Sequence, residues 1–408
     1  MLIVGLMSGT SADGVDAALV SLSGQGRRTR VRLIAHRHTV FSSSLREEIL
    51  RACDPATARS DRICVLSTAL AHEYARAASE VAAAAGASLR DVAAVACHGQ
   101  TIWHQPSALQ IADGAWRGTM QIGSPAALAQ AVGVPVISDF RSADLAAGGQ
   151  GAPLVPFADF VLFSEVPGGR AVQNLGGIAN VTYLPAEAET GDVIAFDTGP
   201  GNMVIDGAVG ILTGGDRTYD VNGEMAACGH PSEDIVATLM AEEPFFALAP
   251  PKSTGREMFG RHFTMDRLLP LCRSRGLSDE DTVATATELT VQSIADAYRR
   301  WLLPRGALDM VVLGGGGARN LTLRSRLASE LAPARLATHA DFGIPDEAKE
   351  AVAFAILAYE TLHGRASNVP SATGASRPVV LGSVTPAPGR PWPMADTAPH
   401  DATSDRNG

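Results

Sequence analysis

Lysine is nearly missing from this chain. Of 33 basic residues only Lys252 and Lys349 are lysine, and the rest are arginine, a bias that reflects genome composition rather than function. Positive charge is short as well: 43 acidic residues give a net charge of −10. A nucleic-acid partner is therefore excluded, because phosphate-backbone binding rests on excess Lys and Arg. Small anions remain open, since backbone N–H groups hold them without net positive charge. The five cysteines, Cys53, Cys64, Cys97, Cys228 and Cys272, form no CxxC pair. That argues against a zinc site and a disulfide framework and fits a reducing cytoplasm. The N-terminal apolar run has no basic flank and meets Asp13 early, so no signal peptide is expected. The longest uncharged run, 118–138, is broken by Gln121, Pro125, Gln130 and Pro135, and reads as turn, helix and strand rather than a membrane span. Both established nucleotide fingerprints, GxxxxGK[ST] and GxGxxG, are absent.

What is present suits a globular enzyme. Apolar residues make up 46% of 408 positions, enough for a sizeable core and, at this length, for two domains. Strand-like and helix-like segments alternate, which predicts an α/β fold. LIVGLM, VDAALVSL and VRLIAHRHTVF read as strands. A long helix follows, with Ser60 as N-cap, Leu66, Leu70, Tyr74, Ala77 and Val81 on one face, and Gly86 at its end. DVAAVAC is a buried strand running into HGQT, and GVPVISDFR is another strand. Further along come AVQNLGGIANVTYL (strand, turn, strand), DVIAFDTGPGN (strand, turn) and the helix MVIDGAVGIL. TATELTVQSIADAYRRWLL is a helix, MVVL a strand and LTLRSRLASEL a helix. The last helix starts near Pro345, with Asp346 and Glu347 at its N-terminal dipole and Gly364 closing it. Beyond about Pro386 the composition predicts a disordered tail.

Three segments share one design, an apolar strand followed by a glycine-rich polar turn: SGTSADG, NLGGIAN and GGGGARN. Glycine permits close backbone approach and positive φ, and Ser and Thr add small donors, as phosphate binding requires. Singly, each is as readily a tight turn or a packing loop.

Together, two hairpin turns and one strand–helix turn resemble the sugar kinase, heat-shock ATPase and actin superfamily. The likeness implies two ribonuclease-H-like domains flanking a central nucleotide and sugar cleft. SGTSADG and NLGGIAN would clamp the phosphates and GGGGARN would hold the adenosine. More closely, GLMSGTSADGVDAALV, CHGQTIWH, QIGSPAALA, VISDFRSADLAAGGQGAPLVP, NLGGIANVT, FDTGPGN, PPKSTGRE, LGGGGARN and EAVAFAILA, in this order, are similar to the anhydro-N-acetylmuramic acid kinase family. They run from Gly5 to about residue 384. The departures are a C-terminal extension and an alanine at position 12.

The resemblance implies ATP, Mg²⁺, a homodimer and hydrolytic opening of 1,6-anhydro-N-acetylmuramic acid with phosphorylation of its O6, in cell-wall recycling. It implies a first domain of 1–130 plus 346–364, a second of 131–345, and a segment 365–385 packing back on the body. Carried over residue by residue, it places Gly9, Thr10, Ser11, Ala12, Asp13, Gly14, Val15 and Asp16 at the nucleotide. Asn174, Gly176, Gly177, Gly314, Gly315, Gly316 and Asn320 join them there. Asp197 in FDTGPGN becomes the base for water, where alone it would read as a turn or cap residue. Glu350 is a second carboxylate, as inverting glycosidases use, or a helix-terminus residue. Asp13 or Asp16 would order the metal through water, unless Asp13 is only turn chemistry. His98, Gln100, Thr101, Asp139 and Arg141 would meet the sugar, or form loop networks. Lys252 is either a position wanting a point charge or a surface lysine. The competing readings are another kinase of the superfamily, such as an acetate or sugar kinase, and a non-catalytic ATP-binding sensor.

Overall fold

The computed structural model describes residues 1–164 and 167–389, and the expected tail lies outside the described residues beyond Gly389. The first sheet begins with three antiparallel strands, β1 (Leu2–Ser8), β2 (Gly14–Ser23) and β3 (Arg30–Val40). β4 (Ala94–Ile111) runs parallel to β1, β5 (Gly114–Ile122) folds back on it, and β6 (Val136–Ser138) runs parallel on its other side. The second sheet repeats this path. β7 (Arg170–Leu175), β8 (Ile178–Leu184) and β9 (Ile194–Pro200) form an antiparallel meander, and β10 (Met310–Gly314) and β11 (Arg335–Thr338) add parallel strands beside β7. With the hairpin strand β5, which pairs with β4 off the main path, and the last strand of the chain left aside, both sheets share one order, third-second-first-fourth-fifth. This is the duplicated ribonuclease-H-like α/β architecture. β12 (Ser383–Thr385) pairs with β6 at the edge of the first sheet.

Apolar faces decide what lies between the sheets. The helix Asp346–Leu362 is buried along nearly its whole length, as an all-round hydrophobic helix must be. With the helix Val155–Phe163 it shares one core with Ile3 and Val20 of the first sheet and Val172 and Val312 of the second. Gly5 of β1 makes the contact close: a Cβ there would sit 1.9 Å from the Ala351 carbonyl oxygen. The outer face of the first sheet is covered by the helix Ser60–Ala84 through Leu66, Leu70, Tyr74, Ala77 and Val81. The outer face of the second is covered by the helices Asp279–Ala297 and Leu321–Glu330.

Four local expectations are corrected. Arg59, not Ser60, stands at the N-cap of the 60–84 helix. Pro345 likewise precedes its helix as the N-cap. The start of the 118–138 run is strand β5, not a turn. β6 lies beyond residue 130 and pairs within the first sheet. GVPVISDFR yields only three paired residues, because Asp139 adopts φ 54° and turns the chain away.

Candidate active site

A cleft of about 690 Å³ between the sheets is lined by Asn174 of the second glycine turn, Gly315 of the third and Asp16 of β2, two residues past the first turn. The first turn stands largely alone. Ala12 N–H donates to the Gly9 carbonyl at 3.2 Å, and Ser11 Oγ donates to Asp13 Oδ1 at 2.8 Å. Thr10, Ser11 and Asp13 are exposed, while Ala12 is buried at φ 51°. Gly14 is enclosed by β3, since a Cβ would meet the Thr39 carbonyl oxygen at 2.5 Å. The Val15 side chain is in the core rather than the cleft. Asp16 points the other way, and its Oδ1 lies 2.9 Å from His38 Nδ1 and 3.4 Å from His36 Nε2. Burial pushes its carboxyl up, but these two histidines outweigh it and leave the group below its ordinary value.

The second and third turns are locked to each other. Gly201 and Asn202, just past β9, donate their N–H groups to the carbonyls of Gly177 (2.9 Å) and Gly176 (2.8 Å). Asn202 Nδ2 donates to the Leu175 carbonyl at 2.9 Å. Gly315, at φ +79°, would place a Cβ 2.7 Å from Asn174 Oδ1. Gly314 sits against His339, and Gly316 is exposed. Asn320 caps the following helix by accepting from Leu323 N–H at 2.9 Å.

Asp197 rises from the middle of β9 into the cleft. Its Oδ2 accepts from Ser253 Oγ at 2.9 Å and from Thr254 N–H at 2.8 Å. Burial raises its pKa, and those two bonds and the Lys252 charge only partly offset the rise. Glu350 faces the same cleft from the 346–362 helix. Its pKa is also raised by burial, with Lys349 and Arg141 opposing and Asp16 adding to the rise. Lys349 Nζ bonds Asp159 Oδ1 at 2.9 Å, and Asp159 Oδ2 accepts from Thr182 Oγ1 at 2.8 Å, a chain that ties the helix to β8. The site thus holds two desolvated carboxylates, each with a lysine nearby, beside glycine-lined backbone. That combination suits removal of a proton next to a bound anion.

Residues 1–387 match the family model described as anhydro-N-acetylmuramic acid kinase. The chain belongs to that family. Relatives named anhydro-N-acetylmuramic acid kinase include one from Salinibacter ruber, 46% identical over 383 residues, covering 94% of this chain and 96% of the relative. That from Caldanaerobacter subterraneus subsp. tengcongensis is 43% identical over 384 residues, with 94% and 96% covered. That from Clostridioides difficile is 42% identical over 385 residues, with 94% and 98% covered. Among solved structures, a ROK family glucokinase from Streptomyces griseus in complex with glucose and AMPPNP is 14% identical with a TM-score of 0.35, covering 88% of this chain and 99% of that one. That likeness is too low to bear on the site.

For a member of this family, the remaining candidate residues fall mostly beneath the cleft. Arg141 donates from Nε to His98 Nε2 at 2.9 Å and from its terminal NH₂ to the Gly151 carbonyl at 2.8 Å. Since guanidinium only donates, His98 Nε2 is bare and Nδ1–H donates to the Gly99 carbonyl at 2.8 Å. Burial first, and then Arg141, lower the His98 pKa to about 3. His98 is therefore a neutral support for Arg141 and not part of the cleft wall. Gln100 braces the first turn, accepting from Ser8 Oγ at 2.5 Å and donating to the Gly9 carbonyl at 3.1 Å. Thr101 Oγ1 accepts from Gln121 at 3.2 Å. Asp139 accepts from Ser142 Oγ at 2.5 Å and is exposed.

Several cleft residues escaped the sequence reading. Ser253 lies within PPKSTGRE and Lys349 within the last helix, where residue type alone does not mark either as facing the cleft. His104 is the second histidine of HGQTIWH, bonded to Thr119 Oγ1 at 3.0 Å. Asp159 had no signal, since it lies in an apolar helix. The surface alternative for Lys252 is overturned: it is only 8% exposed.

Proposed function

We propose that this chain uses ATP and water to convert 1,6-anhydro-N-acetylmuramic acid into N-acetylmuramic acid 6-phosphate and ADP. One observation carries the reading. In a chain of this family, the carboxylates of Asp197 and Glu350 face the same cleft as Asp16 of β2, Asn174 of the second glycine turn and Gly315 of the third. Asp197 takes a proton from water as the water attacks the anomeric carbon. The 1,6 bridge breaks, and its electron pair leaves on O6. O6 then attacks the γ-phosphorus, and ADP departs. Glu350 supports the charge that develops at the sugar. Arg141, held by His98, supplies a fixed cation on the sugar side, suited to the substrate's carboxylate. His98, Gln100 and Thr101 act from beneath, by shaping that wall and the first turn, and Asp139 closes its rim.

Backbone N–H groups around Gly9–Asp13 and Asn174–Gly177 receive the phosphates, and Gly314–Gly316 with Asn320 form the adenosine side. Among the described residues no group of three or more His, Cys, Asp or Glu could hold a metal. That fits a Mg²⁺ bound mainly by phosphates and water, with Asp16 or Asp13 contributing through water. The ion, when bound, neutralises charge on the phosphates. We further assign the first domain to residues 1 to about 138 plus the last helix, and the second to the span between. A homodimer acting in cytoplasmic cell-wall recycling completes the reading. The test is ADP release: it should require both the anhydro sugar and Mg²⁺, with ¹⁸O from labelled water entering C1 of the product and not the phosphate. ATP binding without sugar-dependent ADP release overturns the proposal.

A further inference from the structure

Lys252 is one of two lysines in an arginine-rich chain, and its ammonium is spent on the protein itself. Nζ donates to the Phe245 carbonyl at 3.0 Å and to the Phe246 carbonyl at 3.3 Å, and sits 4.5 Å from the centre of the Phe245 ring. Two adjacent carbonyls and a ring face converge on a point, which an ammonium fills and a planar guanidinium does not. The main chain at the same residue turns toward β9, where the Lys252 carbonyl accepts from Asp197 N–H at 3.1 Å. The next two residues supply both donors to the Asp197 carboxylate.

We infer that Lys252 is a positioning residue for Asp197: its side chain fastens the 251–254 segment to the 244–247 turn so that Ser253 and Thr254 hold the carboxylate in place. This rests on Asp197 being the base. The backbone bond from Asp197 N–H ties the segment to β9, and the Lys252 ammonium ties it to the 244–247 turn. The ammonium also lends charge. The groups that act on Asp197 are Lys252 and Glu257, and those that act on Lys252 are Asp296, Arg300 and Asp197. Burial lowers the Lys252 pKa to about 8, so the support weakens above that pH.

Three variants test this: Lys252→Met, Ser253→Ala and Asp197→Asn, each checked for folding by circular dichroism. Lys252→Met should lower kcat about tenfold or more while KM for ATP and sugar stays within about twofold. The acid limb of its kcat–pH profile should move up by about half a pH unit, because a positive charge and two held donors are lost together. Ser253→Ala should move the same limb in the same direction by less. A folded Lys252→Met with wild-type kcat and an unmoved acid limb overturns the inference. If Lys252→Met does not fold, an unmoved limb in Ser253→Ala overturns it instead. Asp197→Asn separates the two ideas: full turnover there sinks the base assignment itself, whereas a dead Asp197→Asn beside an unaffected Lys252→Met sinks only the role of Lys252.

Discussion

The two hairpin turns look alike in sequence and are held in opposite ways. The second, around Gly176 and Gly177, is bonded by the backbone after β9 and closed in by the third turn, so that Asp197's strand and the second and third glycine turns form one unit. The first, around Gly9, is braced by Gln100 at the Gly9 carbonyl and by Phe41 N–H at the Asp13 carbonyl, and leaves its tip in solvent. A Cβ on Gly9 would meet nothing nearer than Ser11 Oγ at 3.8 Å, whereas one on Gly201 would lie 2.2 Å from the Gly176 carbonyl oxygen. Gly9 therefore serves access, whereas Gly201 serves packing. The interlocked unit carries Asp197, and the first turn, with its exposed tip, is the part able to adapt when ligand arrives.

Chemistry should depend most on the interlocked unit. Asp197→Asn keeps the shape of the side chain and removes the base, and turnover should fall roughly 10²–10⁴-fold, the usual worth of a general base. ATP and sugar binding, read by calorimetry, should persist. A near-wild-type rate would move the base elsewhere. Gly315→Ala comes next. It forces a side chain into a positive-φ position against Asn174 and Leu175 and should cost roughly 2–3 kcal/mol, seen as a lower urea midpoint together with weaker nucleotide binding.

Gly9→Val probes the first turn and should separate what Gly315→Ala couples. KM for ATP should rise about tenfold through lost close approach to phosphate, while the urea midpoint barely moves, since the added atoms point into open space. Equal loss of stability in both variants would abolish the distinction drawn between the turns.

Much of this arrangement could be read in the sequence. Alternating apolar segments located the strands, and turn chemistry picked out three glycine motifs, two of which line the cleft. What could not be read is which way each side chain faces. HGQT looked like cleft wall, yet β4 is buried on both faces from Ala94 to Gln100, and His98 and Gln100 there hold Arg141 and Gly9. Lys252 looked like a surface residue because its partners, the carbonyls of Phe245 and Phe246, are backbone atoms that no residue pattern announces. Asp159 meets Lys349 across 190 positions of chain, a pairing made only by the packing of two helices.

The smallest effect near neutral pH should come from the support beneath the first sheet. His98 is neutral when folded, with its pKa lowered from the ordinary 6.5 to about 3. The unfolded chain therefore binds a proton there that the folded chain refuses. Stability from this site is complete above about pH 6.5 and is lost progressively as pH falls toward 3. His98→Gln offers an amide oxygen to Arg141 Nε and cannot titrate. Urea midpoints measured from pH 7.5 down to 4.5 should fall less steeply in this variant than in the wild type, with little difference at the upper end. Parallel slopes would mean that His98 takes up its proton without leaving Arg141, and the acid sensitivity of the first half would then have to arise elsewhere.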